Sequence, residues 1–391
     1  MFRRGIVPAL FLAFVLSGCL AHPMIQEIST DPSPDSNSLL SLLILQATLG
    51  SNASGLESQS ILKFAYSTSG SNVAMYSASD SDGTLTPLSP STIPSGATTW
   101  YITASPDGSY VYASSRGAAA IYQYSVDPVT GQLTPLSPPT VNTVYSNPMN
   151  IDVHPNGKYL YLGNLSGTPA IEVYSIQSDG TLALIEAESN CDTGQEFAVH
   201  PVSGRLYAVC QGSSNIQYFT IATDGSISQD GVRSGIGAQS QGMAISPDGN
   251  FLYSASQSDD AIHQFSVDAS GALTPLSPAT VATGHWPMEF RLSGDGLYGY
   301  VVCYGTGIVN LFVRDPVTGL LSPNSPATVP AGSGQPQFLG SDNRGRYMYS
   351  TDFSTGQIQS FTVQSDGSLS STGSNSGLTN PRGIVLVSRN E

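Results

Sequence analysis

The sequence predicts an all-β chain that closes into a seven-bladed β-propeller of four-stranded blades, and three observations carry that expectation. A tight turn related to P-D-G recurs six times, its glycine falling at Gly108, Gly157, Gly204, Gly249, Gly296 and Gly345 with gaps of 49, 47, 45, 47 and 49 residues. An acidic glycine turn recurs seven times, among them "SDSDGTL", "DPVTGQL", "ATDGSI" and "QSDGSL". The two ends of the array are incomplete in complementary ways. Self-similarity at such a period marks an array of small sheets, each unable to bury its faces alone.

Each unit spells four strands in the same order. The second unit runs through "NIDVH" (150–154), a P-N-G turn, "YLYLG", "IEVYSI", an acidic glycine turn and "TLALI". Short apolar runs with turn chemistry at every joint read as strands rather than helices. In the acidic turns glycine supplies the positive φ and aspartate bonds its own backbone. None of these loops has the ligand count that a calcium loop needs. Four units end in a proline-tagged exit: "GTLTPLSPSTI" from Gly83, "GQLTPLSPPTV" from Gly131, "GALTPLSPATV" from Gly271 and "GLLSPNSPATV" from Gly319. These are the last hairpin of a blade followed by the crossing to the next.

The stretch "FAYSTSGSNVAMYSASDSDGTLTPL" (64–88) supplies a second, third and fourth strand but no first. The stretch "NPRGIVLVS" (380–388) supplies a first strand and nothing after it. Joined, they make a seventh blade from both chain ends, which removes exposed sheet edges.

Composition agrees with a folded β-protein. Only 10% of the 391 residues are charged, against roughly 25% in an average globular protein. Yet 19 Tyr and 13 Phe are spread along the chain, which a disordered polar chain would lack. The formal net charge is −15, so phosphate backbones are repelled and nucleic acid is excluded as a partner.

The N-terminus carries the most specific local signal. "MFRR" is a basic start, and Gly5 to Val15 form an apolar run of signal-peptide length, too short to span a bilayer. It leads into Leu16-Ser17-Gly18-Cys19, which resembles the lipobox of bacterial lipoproteins. That resemblance implies cleavage before Cys19 and a diacylglycerol on its sulfur. Several acyl chains on one residue anchor stably where one alone is marginal. Leu20 after the cysteine favours, by the same resemblance, the outer membrane. The expected organisation is a signal peptide over 1–18, a lipidated tether over 19–60 and the propeller over 61–391. Within the tether "LLSLLIL" (39–45) is open between a short helix and a lipid-packed segment.

The blade pattern, with "NPMNIDVHPNGKYLYLGN" (147–164) as its fullest copy, resembles the seven-bladed lactonase-type propellers, which include 6-phosphogluconolactonase-like and carboxymuconate-cyclase-like proteins. The resemblance covers roughly residues 60 to 390. Members of that group often carry Gly-Pro-Arg-His at the start of an inner strand. Here the matching places read "SNPMN" (146–150), "GHWPME" (284–289) and "GQPQF" (334–338). Only "NPRG" keeps the arginine, Arg382, and the histidine position is Gly383. The departure counts against catalysis.

In a propeller the first strand of each blade lines the central channel. Its opening residues include Trp100, Tyr101, Glu196, Glu289 and Arg382, with His285 and Trp286 just upstream in the fifth blade. Glu196 and Glu289 are candidate catalytic carboxylates that could activate water, and Arg382 the group that steadies an oxyanion. The bland alternative is a solvated channel whose charges offset one another. Trp100, Tyr101, His285 and Trp286 are candidate ligand contacts; aromatic residues there also pack between blades. Arg291 is expected to pair with an acid in a neighbouring blade. His154 and His200 belong to the opposite mouth, where they bond turns and make a weak metal site at best. No cofactor or metal is expected.

Beyond Cys19 three cysteines remain. Cys191 and Cys210 flank one hairpin of the third blade, and a disulfide between them fits an oxidising envelope. The simple hairpin register leaves the two slightly offset. Cys303 sits in the strand column of Cys210, with a blade between them.

The leading functional expectation is a monomeric, lipid-anchored envelope propeller that binds a small molecule or an envelope or host protein through its loop face or channel mouth. The alternative is a lactonase-type hydrolase or cyclase acting on a small lactone.

Overall fold

The computed structural model describes residues 60–165, 170–188, 190–332 and 334–390. The expected signal peptide, Cys19 and the tether up to residue 59 lie outside them. The described residues form seven four-stranded antiparallel sheets, and no helix occurs among them. The first blade is typical, with strands Thr99–Ala104, Tyr110–Ser115, Ala120–Val126 and Leu133–Asn142 in that spatial order. First strands of the next five blades are Pro148–Val153, Gly194–Val199, Ser240–Ile245, Pro287–Leu292 and Pro336–Ser341. Each touches the first strands of both neighbours, which closes the ring around a channel.

The seventh blade joins the chain ends as its sequence predicts. Strand Ile384–Asn390 pairs antiparallel with Ser60–Ser69, setting Leu386 against Ala65.

Second strands are buried on both faces. Val111, Tyr112 and Ala113 are all fully covered, because neighbouring blades pack on either side. The period-two alternation is lost there for the reason that it is lost in doubly covered sheets. Outer strands are covered only at their start, as at Leu133. Their prolines sit at the ring's rim, where a missing N–H costs no ladder bond.

One turn chemistry repeats on the mouth opposite the first residues of the inner strands. In the first blade Asp127 accepts the N–H groups of Val129 and Thr130 at 2.9 and 2.8 Å. Those bonds, Thr130 first, hold its carboxyl below the usual range. Next to this cap, Gly131 has φ of 72° and its missing side chain leaves room for the Phe64 ring. A buried tyrosine of the preceding blade then reaches the turn glycine's carbonyl. Tyr66 donates to Gly131, Tyr112 to Gly180, Tyr207 to Gly271, Tyr300 to Gly367 and Tyr349 to Gly83, at 2.7–3.0 Å. Tyr253 makes the same bond to Gly319 at 2.5 Å. These bonds lace six of the seven blade junctions; Tyr161, at the junction of the second and third blades, has no hydroxyl partner among the described residues.

Cys191 and Cys210 are bonded, with Cα atoms 5.3 Å apart. Cys210 stands opposite Gly194 in the ladder, so Cys191 reaches it from the loop before the strand. That loop absorbs the offset that a strict hairpin register implies. Cys303 is a buried free thiol. His154 and His200 bond turns at the lower mouth, their Nδ1 atoms accepting the N–H groups of Asn156 and Val202.

Candidate functional site

The channel interior is built by alternation along the inner strands. In "MEFRL" Glu289 and Arg291 are two residues apart and face the channel, while Phe290 between them is fully buried among the blades. The same alternation presents Asn150 and Asp152 from the second blade and Glu196 from the third. They surround a cavity of about 200 Å³ that Tyr101, Asn150, Asp152, Glu196, Arg291 and Phe338 help to line. Tyr101 and Phe338 meet edge to face at 4.7 Å on the other wall. The intervening fourth blade contributes Gly242, whose Cβ would collide with the backbone of Met288 and Phe290 at 2.5 and 2.4 Å. The missing side chain therefore lets the fourth inner strand lie close against the fifth.

Arg291 is the guanidinium that joins these carboxylates. It lies 2.6 Å from Glu289 of its own blade and 4.0 Å from Glu196, two blades away. From the sequence, Arg291 is expected to pair with an acid of a neighbouring blade, and Glu196, Glu289 and Arg382 to ring one mouth together. Arg382 lies at that mouth, where its partners are aromatic, whereas the two glutamates gather lower down around Arg291. Asn150 donates a hydrogen bond to the other oxygen of Glu196.

Three acids around one arginine cannot all ionise cheaply. Burial raises Glu196 well above the ordinary glutamate value and Glu289 adds repulsion, while Arg291 opposes both. Burial also raises Glu289, again against the pull of Arg291. Asp152 is pushed up to about 6 by burial, with Arg291 opposing and Glu289 reinforcing. Arg291 is raised because its acidic neighbours outweigh its burial. Its side chain keeps 43% of its surface open to the channel, so solvent screens this cluster more than a packed core would.

The mouth above has the opposite character. The Arg382 guanidinium is 3.3 Å from the centre of the Trp100 ring and 4.3 Å from that of Phe353. Arg116 is 4.3 Å from the same Trp100 ring. Arg382 donates to Gln337 at 3.2 Å, and no carboxylate pairs with Arg116 or Arg382 among the described residues. Burial lowers Arg382 to about 10 and also lowers Arg116. Tyr101 marks the border between the two zones, feeling Glu196 and Glu289 from below and Arg382 from above. Burial, then these carboxylates, raise its hydroxyl well beyond its ordinary value.

Across the mouth His285 stacks on Trp286 at 4.9 Å, and Trp286 lies 5.7 Å from Tyr304. Tyr304 is within electrostatic reach of Arg382. His285 Nδ1 lies 3.0 Å from an Asp260 carboxylate oxygen.

The structure thus gathers Trp100, Arg382, His285 and Trp286 at one mouth and sinks Tyr101, Glu196 and Glu289 below it. Arg116, Asp260 and Tyr304 escaped the sequence reading. All three lie in or beside turns between second and third strands, which return to this mouth by antiparallel pairing. The available signal was charge in a charge-poor chain, as in "SSRGAAA" and "SDDA". No cluster of His, Cys, Asp and Glu among the described residues has metal-site geometry.

Fold and channel together define a seven-bladed propeller with one chemically equipped mouth over an acid-lined cavity. The profile of the family described as "Lactonase, 7-bladed beta-propeller" matches residues 60–166, 137–233 and 227–334, and the chain belongs to this family. An uncharacterized protein of Staphylococcus saprophyticus is 25% identical over 258 residues, which is 61% of this chain and 74% of that protein. A 6-phosphogluconolactonase of Sodalis glossinidius is 31% identical over 153 residues, covering 37% of this chain and 45% of the enzyme. The periplasmic gluconolactonase of Pseudomonas aeruginosa superposes with a TM-score of 0.69 at 18% identity, over 83% of this chain and 99% of that structure. At such identity the superposition speaks for the fold alone.

Proposed function

We propose that the protein is a lactonase-type hydrolase acting on a small anionic lactone at the mouth formed by Trp100, Arg116 and Arg382. The observation that carries this reading is the pair of guanidinium groups on one tryptophan, neither with a carboxylate partner among the described residues. A partly desolvated, unpaired cation is costly, and in a chain of net charge −15 an internal partner would be easy to supply. An anionic group from outside offsets that cost, and guanidinium suits phosphate or carboxylate geometry. The faces of Trp286 and Tyr304 suit the C–H surface of a sugar-like ring. Family membership and the relatives named as 6-phosphogluconolactonases support the reaction type.

The test is a panel of phosphorylated and neutral sugar lactones offered to the purified protein. Faster hydrolysis of the anionic members is expected, and Arg382→Ala should erase the preference. No lactone turned over above its spontaneous rate would overturn the reading.

We also propose that Cys19 carries a lipid anchor that holds the domain at the cell envelope, motivated by Leu16-Ser17-Gly18-Cys19. Cys19→Ala should move the protein to the soluble fraction; continued sedimentation with membranes would remove the anchor.

A further inference from the structure

We propose that His285, oriented by Asp260, is the general base of this site. The inference rests on the lactonase reading and adds the group that activates water.

The dyad is held by several contacts. Both Asp260 carboxylate oxygens face His285 Nδ1, at 3.1 and 3.0 Å, and one of them accepts the Trp286 N–H at 2.9 Å. Burial pushes Asp260 up, but the bonds from His285 and Trp286 outweigh it and hold the carboxyl below its ordinary value. The imidazole is stacked on Trp286, and its edge packs against Gly305. A Cβ there would lie 2.6 Å from His285 Cδ2, so only glycine leaves the ring its place.

An ionised carboxylate at Nδ1 fixes the proton on that nitrogen and leaves the Nε2 lone pair as the acceptor. The His285 side chain is 53% exposed, and Nε2 has no partner among the described residues. The charged and titratable groups around it are Asp260 from the fourth-blade turn, then Tyr304 and Cys303 from the fifth blade. Arg382 lies beyond Tyr304.

Capping of the loop before an inner strand is common in this ring. Glu172 accepts the N–H groups of Val144 and Tyr145, and Asp352 those of Gly334 and Gln335. Among the described residues, only the cap between the fourth and fifth blades also grips a histidine. Loop capping explains Asp260 meeting Trp286; it does not explain an exposed imidazole aligned on the same carboxylate.

The chemistry balances with water alone. His285 Nε2 takes a proton from water as its oxygen bonds to the lactone carbonyl carbon. Collapse of the tetrahedral species breaks the ring C–O bond, and the imidazolium returns the proton to the leaving alkoxide. The product is the open hydroxy acid.

The experiment measures kcat and KM of the full chain from pH 5 to 9 on an anionic lactone. His285→Gln should lower kcat by about 100-fold or more, leave KM within about threefold, and abolish the acid limb of the rate profile. Imidazole in the buffer should restore part of the rate to His285→Ala. Asp260→Asn keeps an oxygen for the Trp286 N–H and should lower kcat without raising KM. A wild-type protein that hydrolyses no lactone overturns both this inference and the reading beneath it. An active wild type whose His285→Gln variant keeps its rate and acid limb overturns the dyad alone.

Discussion

Arg382 holds its guanidinium 3.3 Å above the Trp100 ring, and the Arg116 guanidinium lies against that same ring at 4.3 Å. The Arg116 charge works against that of Arg382, the indole face offsets part of that cost, and the proposed anion would offset more. Inorganic phosphate is a sufficient probe. It should raise the melting temperature of the wild type, since a ligand at about 100 times its Kd stabilises by about 2.7 kcal/mol. The Arg116→Ala, Arg382→Ala double variant should lose that rise. On an anionic lactone Arg382→Ala should raise KM by about tenfold or more, consistent with a charged hydrogen bond of roughly 1.5–3 kcal/mol. An unchanged thermal shift in the double variant would place anion binding elsewhere.

Blade architecture was legible because it is written in local chemistry. The turn aspartates, turn glycines and apolar runs each answer to a nearest-neighbour constraint, and seven repeats state it redundantly. The closing blade was legible for the same reason, as two incomplete copies. Site partners were not, because they depend on where separate turns arrive in space. Glu196 and Glu289 are 93 positions apart and share Arg291 only once the ring has set the third and fifth blades around one channel. Glu196, Glu289 and Arg382 read as one ring in the sequence, yet one residue of offset along the inner strand separates Arg382 at the mouth from the glutamates in the channel interior. Asp260 is an ordinary turn residue until the next blade sets His285 beside it.

The channel acids give stability a pH signature. Asp152 rises to about 6 in the fold, against about 3.9 in an unfolded chain. The folded state therefore holds this proton more tightly. Its stabilising contribution is complete below pH 4 and is lost as pH rises through 6. The slope from one proton cannot exceed about 1.4 kcal/mol per pH unit, and the open channel makes it shallower. Asp152→Asn should flatten denaturant-measured stability between pH 4 and 6 and should melt above the wild type at pH 8. Equal melting at pH 8, with the slope intact, would show that Asp152 titrates normally.

The disulfide staples a loop to the third blade's core. Cys191 and Cys210 are 19 positions apart and lie in one buried cluster with Tyr161, Phe197 and Phe219. Closing a loop of that length contributes about 3 kcal/mol in the chain-entropy view. The Cys191→Ala, Cys210→Ala double variant should therefore lose about 2–4 kcal/mol. Non-reducing peptide mapping of the wild type should link Cys191 to Cys210 and leave Cys303 free. A bridge to Cys303 would contradict the strand register.

Ring closure is the sharpest consequence of the fold. A chain terminus is ordinarily trimmed at little cost, yet the final strand Ile384–Asn390 is the innermost of its blade. Leu386 packs in the cluster of Tyr347 and Tyr349 from the sixth blade, whereas Val387 packs with Val111 and Tyr124 of the first. One strand thus glues both neighbours. Ile384, Leu386 and Val387 are 8%, 7% and 2% exposed, and burying each contributes about 1.5–3 kcal/mol. Their sum rivals a whole domain's stability of roughly 5–15 kcal/mol. The polar ties go too: Thr351 donates to the Arg382 carbonyl at 2.8 Å and Arg389 to the Gly108 carbonyl at 2.7 Å. Truncation after Thr379 also bares the Ser60–Ser69 edge, a template for strand addition between molecules. The truncated chain should aggregate or melt far below the wild type in a thermal scan. Deletion of residues 20–55 should shift melting by much less. Should the C-terminal truncation melt like the intact protein, the strand pairing that closes this ring would be wrong.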